Sequence, residues 1–114
     1  MKAIQITRLD GPEAIEVVNV DAPKADGKNV VIAVRACGVA FPEVLQSRGM
    51  YQIKPDPPFI PGAEVAGEVI DAPADSGFKK GDRVAVFPLL GGYAEVTVAE
   101  PESVFPLPDS VSFE

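Results

Sequence analysis

The sequence predicts a mainly β domain, a barrel or sandwich of short strands, and three observations carry that prediction. Runs rich in valine and isoleucine recur along the chain and are separated by turn signals. The 12 prolines and 10 glycines are interspersed among apolar residues without a short repeat, so they punctuate turns and do not form a low-complexity tract. Helical segments between the strands are missing and no G-x-G-x-x-G follows a strand. That argues against a doubly wound α/β domain and against dinucleotide binding through that motif.

Each element follows from its own stretch. "MKAIQITRLDG" opens as a strand, with Ala3 and Gln5 on one face and Ile4 and Ile6 on the other, and turns at Asp10-Gly11-Pro12. "AIEVVNVDAP" is a second strand, closed by Pro23. A turn over Ala25-Asp26-Gly27-Lys28 leads into "NVVIAVRACGV", the strongest strand signal of the chain. Strict alternation there puts Val30, Ile32, Val34 and Ala36 on one face and Val31, Ala33, Arg35 and Cys37 on the other. "PEVLQSRG" then breaks the pattern. Pro42 stands at a helix start, Glu43 lies near the positive end of the dipole and Gly49 is a stop, which predicts one short helix. "YQIKPDPPFIPG" has too many prolines for a ladder and reads as an irregular extended loop. "EVAGEVIDA" returns to strand, "DSGFKKGD" is a turn, "RVAVF" and "YAEVTVA" are strands, and "SVFPLP" is a last extended piece.

The chain's 114 residues suit one small domain, and 46% hydrophobic residues with a moderate charged fraction suit a folded one. A net charge of −7 without a basic stripe excludes nucleic acid as an expected partner. No apolar run approaches the ~20 residues that span a bilayer, and no signal-peptide pattern precedes the first strand. The single cysteine, Cys37, leaves no internal disulfide and reads as a small buried strand residue. A cytoplasmic location is the expectation. One residue breaks the apolar logic: in "FIPGAEVAGEV", Glu64 stands alone among apolar residues and glycines. Such a carboxylate needs water, a partner or a function.

In order and in register, "DGPEAIEV", "VVIAVRACGVAFPEVLQSRGMYQ", "PFIPGAEVAGEV", "FKKGDRVAVF", "GGYAEVTVA" and "VFPLPDSVSFE" resemble the N-terminal catalytic domain of medium-chain dehydrogenases/reductases. The nearest likeness is to the zinc-independent quinone oxidoreductase branch. The resemblance covers residues 1–114 and implies a GroES-like fold, a partly open β-barrel with one or two short helices. Singly, "GDRV", "GGYAE" and "DGPEAIEV" read as turns entering strands. It also implies that the chain is a fragment whose nucleotide-binding Rossmann domain lies outside it.

The implied chemistry is hydride transfer from NADPH, bound mainly by that other domain, to a quinone or activated enone. A reductase of α,β-unsaturated acids or thioesters, or a non-enzymatic GroES-like binding module, are the alternatives. Zinc-dependent relatives carry ligands where this chain has Ala40 and Ala63, and the chain has no histidine, so no zinc is expected. The resemblance places Ala40, Phe41 and Leu45 against the cofactor. It places Phe41, Leu45, Tyr51, Pro88, Leu89 and Leu90 around the substrate, with Tyr51 the candidate catalytic donor. The branch usually has polar residues at positions 40 and 45, and this chain departs at both. Glu64 falls on the cleft floor, where a bond from backbone N–H groups, Arg35 or Arg48 is expected ahead of a part in substrate or proton traffic. The full-length protein is expected to be a homodimer.

Overall fold

The computed structural model describes all 114 residues. Strand β1 (Lys2–Ile6) pairs antiparallel with β2 (Ile15–Asn19), from Lys2 opposite Asn19 to Ile6 opposite Ile15. The predicted turn between them is tightened by a 3₁₀ turn over Pro12–Ala14. The second sheet holds β3 (Val30–Cys37), β4 (Val65–Asp71), β5 (Arg83–Val86), β6 (Val96–Ala99) and β7 (Val104–Pro106) in the order β6-β3-β4-β5-β7, every pairing antiparallel. Two bridges, Ala3 with Ala94 and Ile6 with Phe59, stitch the small sheet to the segments that flank the large one. The result is the mainly β, partly open barrel that the resemblance implies.

The core lies on one face of the large sheet. Val30, Ile32, Val65, Val69, Val84, Val86, Ala99 and Val104 are buried against each other. Each fully buried valine or isoleucine stabilises the fold by roughly 1.5–3 kcal/mol relative to exposure. β5 shows the expected period of two, Val84 and Val86 buried and Arg83 and Ala85 less so.

Strict alternation fails in β3, and the failure matters. Val34 faces Gly67, but the next pair is Ala36 with Ala66, so Arg35 is an extra residue in a β-bulge. Beyond the bulge the faces exchange, and Cys37, opposite Val65, packs against the core with Val34 and not on the face of Arg35. Arg35 turns outward to Glu68, 3.4 Å away. A second difference is at the 93–99 strand, where regular pairing begins only at Val96 because Ala94 is taken by the bridge to β1.

The helix α1 (Phe41–Ser47) forms where predicted. Pro42 is in its first turn, and the buried Glu43 accepts the Ala40 N–H through Oε2 at 3.1 Å, closing the N-terminus. Gly49, with φ 68°, turns the chain out of the helix into the proline-rich loop.

Candidate functional site

Two glycine-containing segments cross at the mouth of the barrel. Gly92 N–H donates to Gly62 O at 3.1 Å, Tyr93 N–H to Pro61 O at 3.0 Å, and Gly91 N–H to Ile60 O at 2.8 Å. The backbones approach so closely that a Cβ on Gly62 would lie 2.6 Å from the Tyr93 nitrogen and 2.7 Å from the Gly92 Cα. "PGAE" and "GGY" therefore carry their glycines for one shared reason, that each leaves room for the other.

This crossing delivers Glu64 to the end of β3. Gly38 N–H donates to the Glu64 carbonyl at 3.0 Å, and the Glu64 side chain lies across Gly38 itself. A Cβ at Gly38 would run into the carboxylate and sit 2.6 Å from Cγ. The expected partner for Glu64 is not there. Its side chain is exposed, no hydrogen bond or ion pair reaches its carboxylate, and Arg35 is paired with Glu68 instead. Arg48 lies beside Gly11, on the side of the helix that meets the 3₁₀ turn. The Glu64 carboxylate lies exposed at the edge of a groove.

That groove has a volume of about 420 Å³, within the range of small-molecule sites. Its floor is the in-register row Ala36, Ala66 and Ala85 across β3, β4 and β5. Cys37, Gly38 and Glu64 close one end, and Phe87 and Phe113 stand as aromatic walls.

Two weak acids, both partly buried, lie close by: Cys37 lines the groove, and Tyr93 lines a neighbouring hollow together with Cys37, Ala36 and Val39. Burial pushes the Cys37 thiol up to about 11, with the negative charges of Glu43 and Glu64 adding to the effect. Burial likewise pushes the Tyr93 phenol up to about 12, reinforced by Glu43, Cys37 and Glu64. Both stay protonated at neutral pH. The Tyr93 hydroxyl is buried with no hydrogen-bond partner.

The residues named from the sequence fall in three places. Glu64 lines the groove. Phe41, Leu45 and Tyr51 lie on α1 and the loop after it, with Phe41 70% exposed and Leu45 and Tyr51 half-buried. Ala40 precedes the helix and gives its N–H to Glu43. Pro88 and Leu89 line a separate hollow with Asn29 and Val98, and Leu90 is half-buried beside it. The groove thus joins Glu64 to Phe87, the first residue of the 87–90 loop that the resemblance places on the cleft wall, and to Cys37, Gly38 and Phe113, to which the sequence assigned no part in a site.

The residues present do not make a zinc site: alanines at positions 40 and 63 supply no donor, and no three His, Cys, Asp or Glu side chains converge. The phosphates of a dinucleotide do not fit either. The only α-helix has seven residues, and its N-terminal cap is closed by Glu43.

A mainly β, partly open antiparallel barrel with one short helix is the GroES-like class of fold. The chain belongs to the alcohol dehydrogenase GroES-like domain family, whose pattern matches residues 26–109. It is 39% identical over 117 aligned positions to a quinone oxidoreductase of Mus musculus, covering 99% of this chain and 35% of the mouse protein. The crystal structure of a probable oxidoreductase from Mycobacterium abscessus superposes with a TM-score of 0.96 at 46% identity, over 99% of this chain and 36% of that one. The quinone oxidoreductase from Thermus thermophilus, also solved in complex with NADPH, gives 0.84 at 37% identity, over 100% and 35%. The relatives are quinone oxidoreductases of the medium-chain dehydrogenase/reductase family, and the chain matches their N-terminal part.

Proposed function

We propose that the chain is the catalytic domain of an NADPH-dependent oxidoreductase that reduces quinones or activated enones without zinc. The nucleotide-binding half would be the part of its relatives that this chain does not span. The observation that carries the reading is the groove itself, with an alanine floor, Phe87 and Phe113 at its sides and Glu64 and Glu114 on its lining, together with alanines at positions 40 and 63, where a zinc site would need thiolate and imidazole.

NADPH, when bound, supplies the hydride. The protein's own residues orient the acceptor and keep water away from it. The aromatic walls take a flat ring, and the alanine floor lets it lie close to the sheet. Hydride arriving at a quinone or at the β-carbon of an enone leaves negative charge on oxygen, which needs a hydrogen-bond donor. Tyr51, on the loop after α1 and outside the groove's lining, is the candidate that the resemblance names, and the Glu64 carboxylate at the groove's edge disfavours anionic acceptors. That last feature favours neutral quinones and enones over unsaturated acids. We further read the whole protein as a cytoplasmic homodimer, a reading supported by the lone free thiol and the exposed apolar rim.

The test is NADPH consumption by the full-length protein with 1,4-naphthoquinone, with and without a chelator. Turnover that persists in chelator is expected. Turnover abolished by chelator and restored by zinc would defeat the metal-free reading.

A further inference from the structure

Arg83 opens β5, and its side chain leaves the sheet on the face opposite the buried Val84 and Val86. The register places it opposite Glu68, yet it makes no ion pair there, because Glu68 is engaged by Arg35. Instead the guanidinium reaches the chain beyond β7. Nη1 donates to Pro108 O at 2.9 Å and Nη2 to Val111 O at 2.7 Å. Its carbon lies 4.4 Å from the centroid of the Phe113 ring. The backbone of the same residue accepts the Leu107 N–H at 2.8 Å. One residue therefore holds the 107–113 segment at four points and folds it back toward the sheet. The end of that segment matters, since Phe113 lines the groove together with Glu64 and Ala85.

We propose that Arg83 is a positioning residue that fixes Phe113 as the aromatic wall of the groove and thereby selects planar, two-ring quinones. The inference rests on the groove being the substrate site, as argued above. A planar guanidinium is needed for this task. It donates in two directions while its face lies on a ring, whereas a lysine ammonium on a flexible stem does not reproduce the fork. A stacked wall discriminates by shape, because a flat two-ring substrate covers the ring and a small acyclic enone does not.

The experiment uses the full-length protein and the variants Arg83→Met, Arg83→Lys, Phe113→Leu and the Arg83→Met/Phe113→Leu double. Each is assayed with NADPH against 1,4-naphthoquinone and against methyl vinyl ketone. Either single loss should raise KM for naphthoquinone about fivefold, the scale of one aromatic stacking contact. kcat should stay within about twofold, and KM for methyl vinyl ketone should not move. The double variant should be no worse than either single one, because both remove the same wall. Lysine should fail to rescue. Additive losses, equal shifts for both substrates, or full rescue by lysine would overturn the proposal. NMR supplies a readout independent of turnover, a nuclear Overhauser contact between the Phe113 ring and the Arg83 side chain in the unmodified protein. Its absence would overturn the clamp. Its presence in a protein that reduces no quinone would overturn the substrate role and the functional reading, and leave the clamp standing.

Discussion

The crossing of residues 60–64 with 91–93 and the rim around α1 are both built from apolar residues and glycine, yet they do opposite things. At the crossing the hydrogen bonds run backbone to backbone, and the neighbouring Pro61, Gly62 and Gly92 are buried. On the rim, Val39, Phe41 and Met50 stand largely in solvent. The difference lies in hydrogen bonding more than in hydrophobicity. Where two chain segments satisfy each other's N–H and C=O groups, the geometry is fixed to tenths of an ångström and can hold a carboxylate in place. Where apolar side chains are merely displayed, they cost little to change and remain free to meet a substrate or another part of the protein.

The most severe way to break this contrast is to fill the crossing. Gly62→Ala adds a Cβ 2.6 Å from a backbone nitrogen at a φ of 111°, a clash and a strained conformation together. We expect a loss of about 3 kcal/mol or more in urea denaturation. Phe41→Ser on the rim should stay within about 0.5 kcal/mol in the same measurement. Equal losses at the two positions would erase the distinction.

Raising the pH sharpens it. Cys37 shares a hollow with Tyr93, which belongs to the crossing, and their folded pKa values, about 11 and about 12, lie above the ordinary 9.0 and 10.0. Both groups are favoured neutral in the folded state. Their contribution is therefore complete below pH 9 and is lost as pH climbs through 11 and 12. The urea midpoint should be flat up to about pH 9 and fall above it, with a shallower fall in Cys37→Ala. Alkylation of Cys37 by iodoacetamide should be slow at pH 8. Labelling at the rate of a free cysteine would contradict the burial on which this rests.

Much of the fold is legible in the sequence because its signals are local. Valine-rich runs, Pro42 with Gly49 around the helix, and the prolines of 51–62 each act within a few residues. The site is less legible because it depends on contacts between distant segments. Gly38 reads as a strand end until Glu64 is seen lying across it, 26 positions later in sequence. The face of Cys37 depends on the bulge at Arg35, which alternation cannot anticipate. Glu64 stands out in the sequence as an anomaly, but the partner expected for it is wrong. Arg35 has a nearer carboxylate in Glu68, and strand register decides between the two.

The claim at the centre of the proposed function is that the acceptor is reduced in the groove whose end is closed by Glu64 lying across Gly38. Gly38→Ala in the full-length protein tests it directly, because the added methyl lands on the Glu64 side chain from carboxylate to Cγ and on no backbone atom, and so displaces the carboxylate. Naphthoquinone reduction by NADPH should then lose about tenfold in kcat, or about 1.4 kcal/mol, while the urea midpoint stays close to that of the unmodified protein. An unchanged kcat in a variant that folds normally would show that the chemistry happens somewhere else.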